Sequence, residues 1–189
     1  MEEKKLNELK ENLRSLLQAE ALKKGRFVLS SGKISNYYLD GRIITLTPEG
    51  AYLVASIILE FVKDKKICAI GGPTLGADPI VGAIAAISHI NKIPIKTFIV
   101  RKSTKEHGTA RQIEGPALKE GSEVILIDDV ATTGKALIEA KQALDKAGVI
   151  AKEAIVIVDR NEGARENLEK AGLKLESIFS IEDFGLFSP

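Results

Sequence analysis

The sequence predicts an α/β fold: a doubly wound, mainly parallel sheet with a small hood formed from the two chain ends. Three observations carry that expectation. Short apolar runs at 67–70, 124–127 and 154–158 have the length and continuity of strands buried on both faces, and 95–100 reads as a further strand. Longer stretches with helical apolar spacing separate most of them, which is the rhythm of βαβ units. Two carboxylates, Asp128 and Asp129, close the 124–127 run, at the strand end where open α/β sheets take ligands.

Each element follows from local pattern. Leu6, Leu9, Leu13, Leu16 and Leu17 mark one face of a first amphipathic helix. Residues 27–29 and 37–40 form short strands around a Ser-Gly turn. A helix starts near Pro48, a favourable first-turn residue, and runs through Ala51, Leu53, Val54, Ile57, Ile58 and Phe61. Strand 67–70 leads into a glycine-rich loop at 71–79 and a small-residue helix to about Ile90. Strands 95–100 and 124–127 come next, then a helix at 135–147, strand 154–158, a helix at 164–171 and a last strand at 173–178. We expect one domain over residues 1–189. Residues 1–45 supply the first helix and hood, and 46–180 the core sheet.

Composition narrows the functional classes. Lys+Arg 27 against Asp+Glu 26 leaves a net charge of +1, so no bulk field favours nucleic acid or a membrane surface. Anion sites must then be built by placing individual charges. Cys68 is the one cysteine, which excludes an intrachain disulfide and fits a reducing compartment; its apolar setting suggests a core residue. The amino terminus is charged and lacks a signal-peptide pattern, and no apolar stretch approaches a membrane span. These features lead us to expect a soluble, cytoplasmic protein.

Residues 124–136 carry the most chemistry: Val-Ile-Leu-Ile-Asp-Asp-Val-Ala-Thr-Thr-Gly-Lys-Ala. After the acidic pair, Thr132, Thr133 and Gly134 lead into a helix near Lys135, and backbone N–H groups at such a start make an anion site. An acidic pair beside a phosphate cradle suits a ribose 5-phosphate, with its vicinal hydroxyls and phosphate. A P-loop is excluded, because Asp129 stands where its first glycine belongs and Ala136 follows Lys135. A dinucleotide fingerprint needs three spaced glycines, and this turn has only Gly134. The plainer alternative is an acidic strand end running into an ordinary helix.

The segment resembles the phosphoribosyl-diphosphate (PRPP) signature of type I phosphoribosyltransferases. The resemblance implies that Asp128 and Asp129 hold the ribose hydroxyls, with Val130, Ala131, Thr132, Thr133, Gly134, Lys135 and Ala136 around the 5-phosphate. A second segment, Arg101-Lys102-Ser103-Thr104-Lys105-Glu106-His107-Gly108, is polar and cationic and follows a sheet strand. By composition alone it is a solvated loop. Its spacing is similar to the catalytic loop of orotate phosphoribosyltransferases, which implies that Arg101, Lys102, Lys105 and His107 serve catalysis and bind PRPP. The segment 27–38 resembles the hood motif of the same enzymes, and 71–79 occupies the place of their pyrophosphate loop. Asp159-Arg160-Asn161-Glu162-Gly163 matches the segment whose arginine contacts the orotate carboxylate, so Arg160, with Thr132, is the implied orotate contact. From the residues alone, Arg160 would be an exposed turn residue.

Two positions depart from the resemblance. Ser30 and Gly76 stand where many relatives carry lysine, and each removes a cation from near an anionic ligand. Other candidates are weaker. His89 ends an apolar helix and is expected at a helix terminus or surface. Tyr37 and Tyr38 are adjacent, so on a strand only one can readily face a planar base. No Cys/His cluster has zinc spacing, so any metal should be a hard ion, Mg²⁺, held mainly by ligand phosphates. The implied partners are PRPP and orotate, with a homodimer whose catalytic loop is shared across subunits. Transfer to another base, or PRPP sensing without catalysis, are the alternatives.

Overall fold

The computed structural model describes residues 2–28, 34–102 and 112–187. Helix α1 (Glu2–Leu16) and the wide turn Leu17–Ala21 bury Leu13 and Leu17. The hairpin of β1 (Leu22–Val28) and antiparallel β2 (Ile34–Leu39) follows. Burial alternates along β2, so Ser35, Tyr37 and Leu39 point inward while Tyr38 faces out. A short helix α2 (Arg42–Thr45) leads to α3 (Pro48–Val62), whose start is fixed by Pro48 and by Thr47, whose Oγ1 accepts from the Gly50 N–H at 3.1 Å.

The remaining elements are β3 (Ala69–Pro73), α4 (Ala77–Ile90), β4 (Lys96–Val100), β5 (Ile113–Glu114), β6 (Glu123–Ala131), α5 (Lys135–Lys146), β7 (Ile150–Asp159), α6 (Ala164–Lys170) and β8 (Lys174–Ser180). A 3₁₀ turn, Ile181–Phe184, follows β8. The strands form one sheet in the order β5-β4-β3-β6-β7-β8, parallel except for β5. The predicted α/β class is borne out. From β3 the chain winds outward to β4, and β6 then begins the other half of the sheet. The crevice beyond the carboxyl ends of β3 and β6 is therefore the topological switch point.

Two apolar layers cover the sheet, and strand alternation feeds both. Ile125 and Ile127 of β6 join a core with α1, α3, α4, Tyr37 and Phe184, which ties both chain ends into one layer. Val124 and Leu126 face the opposite core, with Leu137 and Leu144 of α5 and Leu168 of α6.

Several boundaries differ from the sequence pattern. β3 begins at Ala69 and continues through Gly71, Gly72 and Pro73, which the pattern placed in a loop. These glycines serve strand approach: a Cβ at Gly71 would stand 2.3 Å from the Phe98 carbonyl oxygen. Cys68 is exposed, correcting the core assignment, because it precedes β3 at the end of the sheet away from the switch point. β6 extends past the apolar run, so Asp128 and Asp129 lie inside a strand. Beyond the cationic 101–108 segment, Ile113 and Glu114 pair with β4. His89 is exposed in the last turn of α4, as expected. No helix among the described residues is long and apolar enough to cross a membrane.

Candidate active site

The acidic pair sits at the switch point. Asp128 is 9% exposed, and its Oδ1 accepts from the Asp129 N–H at 3.0 Å. Asp129 Oδ1 accepts from the Val130 N–H at 2.8 Å. Burial pushes the Asp128 carboxyl well above the ordinary aspartate range, with the adjacent Asp129 charge adding to it and Lys102 opposing it. Burial also raises Asp129, against the hydrogen bond from Val130. Two glycines press on this pair. A Cβ at Gly41 would meet Asp129 Cβ at 2.8 Å. At Gly76 it would stand 2.2 Å from Asp128 Oδ1 and 2.5 Å from Asp129 Oδ1. Gly76 is thus the residue that lets the loop after β3 lie against the acids. A lysine there would require the acids or the loop to move.

Residues 130–137 with Asp128 line a cleft of about 200 Å³. The turn is possible because Gly134 takes a left-handed φ of 76°, while a Cβ there would crowd Leu168 at 2.9 Å. No side chain caps α5, and no acid lies in its first turn. Its leading N–H groups therefore remain available to an anion, unlike those of α3, which has Thr47 as cap and Glu49 in its first turn. Thr133 is exposed and fixed through its carbonyl, which accepts from Asn167 Nδ2 at 3.0 Å; Thr132 is half-buried. The Lys135 side chain is 82% exposed, 3.8 Å from Glu139 one turn along the helix.

Arg101 and Lys102 follow β4, beside the loop after β3. The Arg101 N–H donates to the Gln112 carbonyl at 2.8 Å, and its guanidinium lies 3.5 Å from Glu114. Both residues line a cleft shared with Ala136, and the Lys102 charge favours ionised Asp128. Lys105 and His107 lie outside the described residues, as does Ser30.

Arg160 follows β7, and its N–H donates to the Ala131 carbonyl at 2.9 Å, beside the 130–136 turn. It is only 6% exposed, contrary to a reading as a surface turn. Its guanidinium lies 4.8 Å from the centre of the Tyr37 ring, and Nε donates to Tyr37 Oη at 3.1 Å. Nη2 is 2.8 Å from Glu162 Oε1. Of the two adjacent tyrosines, Tyr37 is therefore the inward one. Tyr38 packs against Phe27, with ring centres 5.8 Å apart.

Sequence reasoning missed three participants: Glu162 on Arg160, Gly41 against Asp129, and the Asp40–Arg42 pair near Asp129, joined at 2.8 and 2.9 Å. A period-two reading of β2 would have turned Tyr37 inward, but nothing local marked Glu162 as buried. Among the described residues, no three His, Cys, Asp or Glu side chains converge to hold a metal ion. The donors nearest the switch point are the hard carboxylate oxygens of Asp128 and Asp129, which suit Mg²⁺ over softer metals.

This geometry has close counterparts among known proteins. Residues 43–187 match the model of the phosphoribosyl transferase domain. An Aquifex aeolicus protein named orotate phosphoribosyltransferase is 45% identical over 177 residues, covering 92% of this chain and 96% of the relative. A protein of the same name from Nostoc sp. is 43% identical over 175 residues, covering 93% of this chain and 84% of its own length. Among solved structures, Mycobacterium tuberculosis orotate phosphoribosyltransferase in complex with Fe(III) dicitrate superposes with a TM-score of 0.82 at 36% identity. That match covers 94% of this chain and 99% of the other. The same enzyme in complex with PRPP matches with a TM-score of 0.78 at 32% identity, over 94% and 99% of the two chains.

Proposed function

The chain belongs to the phosphoribosyl transferase family, and from that premise we propose that it is an orotate phosphoribosyltransferase, one domain making orotidine 5′-monophosphate and pyrophosphate from orotate and PRPP in pyrimidine biosynthesis. The observation that carries this is the conjunction near the switch point of an acid pair with Asp128 buried and Asp129 half-buried, an uncapped helix start and a buried arginine. Asp128 and Asp129 accept hydrogen bonds from the ribose hydroxyls, and residues 130–136 hold the 5-phosphate. Arg160 takes the carboxylate that distinguishes orotate from uracil, and Thr132 lies against the base.

In the reaction, a bond forms between orotate N1 and the ribose anomeric carbon as the bond from that carbon to pyrophosphate oxygen breaks, and the N1 proton is lost to the departing pyrophosphate or to water. The transition state is oxocarbenium-like, so catalysis lies in receiving charge on the leaving group. Arg101 and Lys102 stand at the sheet edge suited to that task, and the resemblance adds Lys105 and His107. If bound, Mg²⁺ would be held mainly by PRPP, with Asp128 and Asp129 the nearest hard protein donors, and would supply further positive charge at the leaving group. The site works in a cytoplasmic setting.

A panel of bases tests the assignment. With PRPP and Mg²⁺ the purified protein is expected to turn over orotate and not hypoxanthine or uracil. Turnover of another base alone would reassign the specificity, and PRPP binding without turnover would make the protein a sensor.

The active unit in this reading is a homodimer in which the catalytic loop carrying Arg101, Lys102, Lys105 and His107 completes the partner's pocket. Support comes from an apolar cleft beside the site, about 500 Å³, with the exposed side chains of Ile43, Leu46 and Leu75. An Asp129→Asn subunit then has a damaged pocket and a sound loop, and Lys105→Ala the reverse. After dissociation and mixing, random pairing makes about half the dimers hybrids with one intact site of two, so activity should return to roughly a quarter of wild type. Hybrid dimers without recovery would place each loop in its own subunit's site.

A further inference from the structure

We infer that Glu162 is a stand-in carboxylate in the base pocket, paired with Arg160 when the site is empty and displaced by the carboxylate of an incoming acidic base. The inference rests on the base assignment above. Arg160 and Glu162 are both deeply buried, each side chain 8% exposed, so neither charge is relieved by water. Arg160 Nε is committed to Tyr37, and the ring beneath fixes the guanidinium plane. The outer nitrogens are left to meet a ligand. Glu162 Oε1 reaches one of them at 2.8 Å, yet neither atom finds a partner aligned for a hydrogen bond. The contact is charge compensation without directed bonding, and a carboxylate free to approach along the guanidinium fork would do better.

The setting of Glu162 permits that exchange. It lies between β7 and α6, flanked by Asn161 at φ 54° and Gly163 at φ 94°. Its side chain can therefore rotate away without breaking a strand or helix. Two carboxylates on one buried guanidinium repel, so arrival of the acidic base and departure of Glu162 are coupled. Glu162 thus compensates the buried Arg160 cation until an acidic base arrives and weakens the hold on that base. A base without a carboxylate leaves the pair undisturbed.

Glu162→Gln separates charge from shape, because the amide keeps the outline of the side chain beside Arg160 and removes its charge. With PRPP saturating, the KM for orotate is expected to fall by about tenfold on removal of the competing charge, while any turnover of uracil keeps its KM. Without ligand the variant should melt at lower temperature than wild type, and orotate with pyrophosphate should raise its Tm by more than it raises the wild-type value. An orotate KM that is unchanged or raised would make Glu162 a fixed scaffold and overturn the inference. Should the variant not fold, a crystal structure of the wild-type protein with orotate and pyrophosphate decides. Separation of Glu162 from Arg160 is expected, and an intact pair would overturn displacement. Wild-type turnover of uracil but not orotate would instead overturn the base assignment, a separate and recognisable result.

Discussion

Asp128→Asn is expected to stabilise the protein while crippling it. Asparagine keeps the shape, and its amide oxygen can still accept from the Asp129 N–H. It loses the charge that strengthens hydrogen bonds from ribose hydroxyls, costing about 1.5–3 kcal/mol, or roughly 10- to 150-fold in PRPP affinity. Stability moves the other way. Burial and the neighbouring Asp129 charge hold the Asp128 carboxyl above its ordinary value of 3.8 in the folded state. A raised carboxyl contributes its stability fully below that ordinary value and loses it as pH rises through the folded one. The variant, always neutral, should therefore melt above wild type at pH 7, and the gap should close as pH falls toward 4. Melting curves across pH with a PRPP titration check both halves. A variant less stable than wild type at neutral pH, or a gap indifferent to pH, would contradict the electrostatic account.

Gly72→Ala should have the largest effect on folding. The added Cβ would stand 1.9 Å from the Ile127 carbonyl oxygen and 2.8 Å from Ala77 Cβ, where β3 meets β6 and α4 begins. Neither neighbour is the end of a flexible side chain, so the central strands must part. A loss of about 3 kcal/mol or more is expected, at the upper end of overpacking effects. Gly82→Ala is the matched control. It lies inside α4, exposed, with nothing within 4 Å of the new Cβ, and should gain about 0.5–1 kcal/mol from helix propensity. Urea unfolding of the pair distinguishes close backbone approach from a general intolerance of side chains at glycine.

Gly72 and its neighbour Gly71 show what the sequence could and could not convey. The buried strands were legible because apolar runs such as 124–127 have one dominant explanation. Gly71 and Gly72 were misleading, since glycine after an apolar run ordinarily signals a turn and here permits two strands to touch. Cys68 was misplaced because β3 starts two residues later than the 67–70 run suggests, at Ala69. The acid pair and the threonine-glycine turn could be read as a unit, being contiguous in the chain. Arg160 and Tyr37 could not be joined, because 123 positions separate them and only the folded hood brings them into contact. The partnership of Arg160 with Glu162 was close in sequence yet hidden, because burial of a turn is a tertiary fact.

The outer border of the sheet has a further consequence, for solubility. β8 is an edge strand, and a bare edge offers its backbone to any other extended chain. This one is guarded. Lys174 and Glu176 alternate with its buried residues, and Arg165 of α6 donates to the Leu175 carbonyl at 2.8 Å. At the opposite border only two residues, Ile113 and Glu114, lie along β4, too short a template for propagating strand addition. Among the described residues, the two borders of the six-stranded sheet therefore offer little template for edge-to-edge pairing.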